Sequence, residues 1–82
     1  MLGKLYWDGG ANRHYVEWED GTKSDLLHAG DTLTIYEPVK GYWLKDRIEF
    51  DQRLRSWYFA TCARWAQHVE DVSTSSLEAL NG

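Results

Sequence analysis

The sequence predicts a small all-β domain, an SH3-like antiparallel barrel of five or six strands with a short C-terminal helix over one open end. Three observations predict it. Turn signals recur at short intervals along the first 60 residues. The runs between them alternate apolar and polar residues with the period of a strand rather than that of a helix. Those runs are also rich in Val, Ile, Thr, Tyr and Trp, the residues that suit a pleated, half-buried surface.

Taken in order, the first strand is Leu2–Trp7, and Asp8-Gly9-Gly10-Ala11-Asn12 turns the chain into a second, Arg13–Trp18. Glu19-Asp20-Gly21-Thr22 contains the Asp-Gly pair favoured in hairpins, and a short third run, Asp25–His28, follows it. Ala29-Gly30-Asp31 is a corner: Gly30 accepts a positive φ, and Asp31 bonds back to nearby backbone amides. Thr32–Glu37 leaves that corner as a strand with Leu33 and Ile35 on one face. Pro38 to Gly41 turns into the long run Tyr42–Phe50, and Asp51 to Ser56 turns into Trp57–Ala60.

Beyond Ala60 the pattern changes. Cys62, Trp65, Ala66, Val69 and Val72 fall at helical spacing, with Arg64, Gln67, Glu70 and Asp71 opposite. The expected organisation is therefore a β-barrel over residues 1–60, a packed helix over 61–72 with Thr61 as its N-cap, and a flexible tail over 73–82. In that tail Ser75 and Glu78 have capping-box spacing ahead of Leu77–Gly82.

Eighty-two residues make one domain, which buries only about 60% of its unfolded surface. Five Trp, five Tyr and two Phe supply the dense contacts such a core needs. A net charge of −4 argues against bulk attraction to nucleic acid or anionic lipid. A lone cysteine, Cys62, excludes an intrachain disulfide and suits a reducing cytoplasm. The N-terminal residues lack the apolar stretch of a signal peptide, and no run approaches the roughly 18 apolar residues of a membrane span.

Gly3-Lys4-Leu5, Gly30-Asp31 before a strand, Trp43, Arg47-Ile48-Glu49 and Trp57-Tyr58 resemble the pattern of a group of short bacterial proteins catalogued only as a domain of unknown function. The resemblance covers Gly3 to Phe59, and the Trp-rich tail after Ala60 departs from it. It implies a small bacterial cytoplasmic β domain and brings no site residues with it.

Parity along the strands sorts the side chains into two faces. Leu5, Trp7, His14, Val16, Trp18, Leu33, Ile35, Leu44, Ile48, Phe50, Trp57 and Phe59 make an inner, core-forming set. The outer set is the candidate binding face: Tyr6, Arg13, Tyr15, Tyr36, Trp43, Lys45, Arg47 and Tyr58, with Lys4 beside them. Aromatics interleaved with cations suit a protein partner, because Tyr, Trp and Arg are enriched in interfaces. The same arrangement on a curved sheet also suits single-stranded nucleic acid, whose bases stack on rings while cations follow the phosphates. Glu17 and Glu49 share the face and oppose the nucleic-acid reading. Residues 40–64 carry six basic and three acidic side chains (+3), and Arg53 and Arg55 in the last turn add to a local basic patch. Asp46 has inward parity, so it requires either a β-bulge that turns it out or pairing with Arg47.

Catalytic chemistry is hard to assemble from these residues. His14, His28, His68 and Cys62 lack zinc-site spacing, so no metal and no cofactor is expected. His14, inward by parity, is expected to be a hydrogen-bonded core residue. Ser73, Ser75 and Ser76 lie in the tail with no base nearby, and Cys62 reads as an inert, half-buried thiol. The expectation is a non-enzyme: a cytoplasmic bacterial module that binds another protein through its aromatic-cationic face, with single-stranded nucleic acid or another anion as the alternative.

Overall fold

The computed structural model describes residues 1–74. They form one antiparallel sheet of seven strands: β1 (Leu2–Asp8), β2 (Arg13–Trp18), β3 (Thr32–Glu37), β4 (Tyr42–Asp51), β5 (Ser56–Phe59), β6 (Arg64–Trp65) and β7 (Asp71–Ser73). The spatial order is β2-β1-β7-β3-β4-β5-β6. β4 serves two halves of the sheet, pairing with β3 through Tyr42–Arg47 and with β5 through Ile48–Asp51. The all-β class and five of the six expected runs match the sequence reading.

The closed barrel does not. Edge strands β2 and β6 do not pair, so the sheet stays open. The outer edge of β2 is covered instead by the segment that follows it. Trp18 N–H donates to Thr22 O, Ser24 N–H to Val16 O and Leu27 N–H to His14 O, all at 2.8 Å. That segment includes Asp25–His28, which is not a strand; it holds β2 through isolated bonds and one bridge, Glu17 to Lys23. Leu27 from the same segment is buried in the core. A covered edge cannot template pairing with another chain.

The C-terminal helix is also absent. Residues 61–73 form a turn, β6, a single 3₁₀ turn over Ala66–His68, and β7. Ala66, Val69 and Val72 are buried at a spacing of three, as an amphipathic helix would bury them. Here they belong to separate short elements, and Val69 is already extended. β7 slots between the β1–β2 and β3–β4 hairpins: Gly3 pairs with Val72 on one side and Ile35 pairs with Val72 on the other. The expected capping box at Ser75 and Glu78 lies outside the described residues.

Four hairpins share one loop design. Each has four loop residues, and the last adopts a left-handed conformation: Asn12 (φ 56°), Gly41 (φ 73°), Arg55 (φ 53°) and Ala63 (φ 53°). In three of them the residue before the loop is an acid that accepts loop amides. Asp8 accepts Gly10 and Ala11 N–H, Glu37 accepts Val39 N–H, and Asp51 accepts Arg53 and Leu54 N–H.

In the β5–β6 hairpin that position is Phe59, fully buried and committed to the core. The carboxylate arrives from β4 instead: Asp46 accepts Thr61 N–H and Cys62 N–H, both at 2.8 Å, and Arg47 N–H at 2.7 Å. Asp46 therefore points inward, as parity requires, and neither the expected bulge nor an Arg47 ion pair is present. Arg47 pairs with Glu49 at 2.6 Å.

The core comprises Val16, Leu27, Leu33, Ile35, Ile48, Trp57, Phe59, Ala66, Val69 and Val72, with Leu5, Trp18, Phe50 and Cys62 packed against it. Gly3 is buried beneath Trp18, its cross-strand partner, where a Cβ would lie 2.5 Å from the indole and 2.8 Å from Val16. Trp7, assigned inward by parity, is 49% exposed, because it sits near the end of its ladder where the core gives out.

Candidate functional site

The outer face carries three aromatic pairs, each formed directly across neighbouring strands. Tyr6 faces Tyr15 on β1 and β2, their rings stacked at 5.9 Å. Tyr36 faces Trp43 on β3 and β4 at 5.3 Å. Tyr58 faces Trp65 on β5 and β6 at 6.2 Å, edge to face. Strand alternation aims each ring outward, and the register brings each pair into contact. Tyr6 and Trp43 are each more than 40% exposed, while Tyr15, Tyr36 and Tyr58 are half-buried.

Seven of the eight expected site residues stand on this face, in three groups. β7 separates the Tyr6–Tyr15 pair from the Tyr36–Trp43 pair. Lys45 lies across from Thr34, and Arg47 across from Thr32, beside the Tyr36–Trp43 pair. Lys45 is exposed and has no ion pair among the described residues.

Arg13 does not join them. As the first residue of an edge strand it reaches around the sheet. Its guanidinium donates to Leu27 O at 3.2 Å and lies 5.9 Å from the Trp57 ring centroid. Sequence parity cannot detect such a reach.

Two members escaped the sequence reading. Trp65 was assigned to a helix, and its place on this face depends on β6. Lys23 lies 5.6 Å over the Tyr15 ring, placed there by the single bridge to Glu17. The acids are as well placed as the cations. Lys4 is in register with Glu17 on one side and Asp71 on the other. Glu37, nearly buried, is paired with Arg64 at 3.1 Å. The basic patch expected over residues 40–64 is therefore reduced by Arg47–Glu49 and Arg64–Glu37.

Cys62 is half-buried, and burial pushes its thiol pKa up, with Asp46 and Glu37 adding negative charge nearby. A thiol held protonated is a weak nucleophile. His14 differs from expectation. It is buried, and its Nδ1 has no hydrogen-bond partner. Burial lowers its pKa. Among the described residues no group of three His, Cys, Asp or Glu is placed to hold a metal ion, and no helix is long and apolar enough to cross a membrane.

A protein-family model described as a domain of unknown function, DUF5348, matches residues 3–72. The match agrees with the resemblance carried by Gly3-Lys4-Leu5 through Trp57-Tyr58, and it extends past Ala60 to take in β6 and most of β7. Comparisons with curated proteins and with solved structures returned no match.

Proposed function

We propose that this chain, which belongs to the DUF5348 family, is a non-catalytic binding module whose outer sheet face holds a protein partner. The observation that supports this best is the set of three cross-strand ring pairs, with Tyr6 and Trp43 left exposed on a sheet whose edge is otherwise covered. Exposed aromatic anchors bounded by polar residues are the composition of an interface core and rim. The interleaved Glu17, Asp71 and Glu49 favour this reading over nucleic acid, since they repel phosphate and occupy the cations. The free thiol and the family resemblance support a bacterial cytoplasmic setting.

A photoreactive benzoylphenylalanine at position 43 or 6 tests the proposal, with position 52 in the β4–β5 turn as control. Irradiation in cells that make the chain should yield a discrete protein adduct from the two face positions and none from the control. A folded protein that gives no adduct from either face position would overturn it. A parallel NMR titration with a short mixed-sequence single strand addresses the alternative. Shifts at Tyr36, Trp43 and Lys45 that fade with salt would transfer the face to nucleic acid.

A further inference from the structure

A second feature lies away from the aromatic face. The β1–β2 turn, the β4–β5 turn and the 3₁₀ turn meet around a cavity of about 370 Å³. That volume is at the lower end of the range for small-molecule sites. Trp7 and Trp57 form its aromatic walls, and His14 lines it between them. Trp7 is half exposed and contacts His14 edge-on, with ring centroids 4.8 Å apart. Asn12, Ser56 and Gln67 add hydrogen-bonding groups, and Arg55 adds a cation. No acid lines the cavity.

Three observations point to a ligand. The first is His14, whose Nδ1 is the one buried side-chain polar atom without a partner among the described residues. Buried polar atoms are otherwise nearly always bonded, and exceptions call for an explanation. The second is charge: Arg55 stands at the cavity with no acid among the lining residues, and the Arg13 guanidinium lies against Trp57. The third is the half-exposed Trp7 indole, an apolar surface left open beside these polar groups.

We infer that this cavity binds a small planar heteroaromatic ring that carries an anionic group. The ring stacks against Trp7, its polar edge meets His14 and the side-chain amides of Asn12 and Gln67, and the anion meets Arg55. Aromatic stacking tolerates many rings, whereas a single cation without a neighbouring acid selects for negative charge. A nucleoside monophosphate and an aromatic carboxylate both have this chemistry.

Quenching of intrinsic tryptophan fluorescence, confirmed by calorimetry, tests the inference on the full chain. The probes are adenosine and uridine 5′-monophosphates, adenosine itself, and indole-3-acetate. Saturable binding with Kd of about 1 mM or tighter is expected for at least one anionic probe. Monophosphates binding at least about tenfold more tightly than adenosine would assign the anion as phosphate. Binding by indole-3-acetate alone would assign it as carboxylate.

Arg55→Gly, which keeps the left-handed backbone while removing the cation, should erase the preference for the anion. Trp7→Ala should weaken every probe at least about tenfold. Trp43→Ala, on the other face, should change nothing, which separates this site from the protein-binding face. Binding should also move the ¹⁵N shift of His14 Nδ1. No saturable binding by either anionic class, or binding untouched by both Arg55→Gly and Trp7→Ala, overturns the inference.

Discussion

Asp46 illustrates how a buried charge is retained. Burial is the largest single influence on its carboxyl and would raise the pKa, but the amides of Thr61, Cys62 and Arg47 together outweigh it and hold the value below the usual 3.8. A group whose pKa is lowered by folding contributes stability above its unfolded pKa and loses it as pH falls through the folded one. That contribution should be complete at neutral pH and fade below about pH 4. Asp46→Asn should therefore flatten the acid limb of the stability curve measured by urea unfolding between pH 5 and 2. Asp46→Ala, which strands three amides, should destabilise by about 2–4 kcal/mol at neutral pH. Equal acid sensitivity in the wild type and Asp46→Asn would show that other carboxylates govern this range. From the sequence Asp46 read as an irregularity. Its reason lies 15 residues away in the β5–β6 loop, whose own acid position is occupied by Phe59.

The four loops explain why the first hairpins were legible and the last was not. Asp8 and Asp51 carry their acids locally, next to turn residues, so the signal is contiguous. The β5–β6 loop borrows its acid and places Ala63 where glycine would be easier. The following elements are two or three residues long, too short for alternation to register. Their buried residues, spaced by three, imitate a helix. Tertiary pairing with β1 and β3 sets their conformation. The loop design also yields a prediction. Arg55 holds a left-handed φ at a cost of roughly 1 kcal/mol, partly offset by the entropy glycine loses on folding. Arg55→Gly should raise stability by up to about 1 kcal/mol, a few degrees in Tm by calorimetry. A fall in Tm would mean that the guanidinium has a structural contact that outweighs the strain. A gain in stability paired with a loss of ligand binding would show that position 55 trades one for the other.

At the scale of the whole molecule the sheet consists of two regions sewn together by three residues. β7 holds β1 through Leu2, Gly3 and Lys4, and holds β3 through Thr34 and Ile35. Val72 at its centre is fully buried. Val72→Asp places an unpaired charge there and should abolish the cooperative unfolding transition, whereas Trp43→Ala on the exposed face should leave Tm within a few degrees. A Val72→Asp protein that still melts cooperatively near the wild-type temperature would mean the two regions fold without the seam. Parity assigned the two faces correctly but could not reveal that a C-terminal strand divides the outer one.

The position of that seam in the chain has a consequence for synthesis. A ribosome completes β1 through β6 before it makes β7, and the gap between β1 and β3 stays open until residues 71–73 emerge. Until then the growing chain presents two unpaired inner edges and an incomplete core, a state prone to association with its neighbours. The domain's final fold is therefore set by the last strand to be translated, and chains cut short before Asp71 are expected to be cleared by proteases.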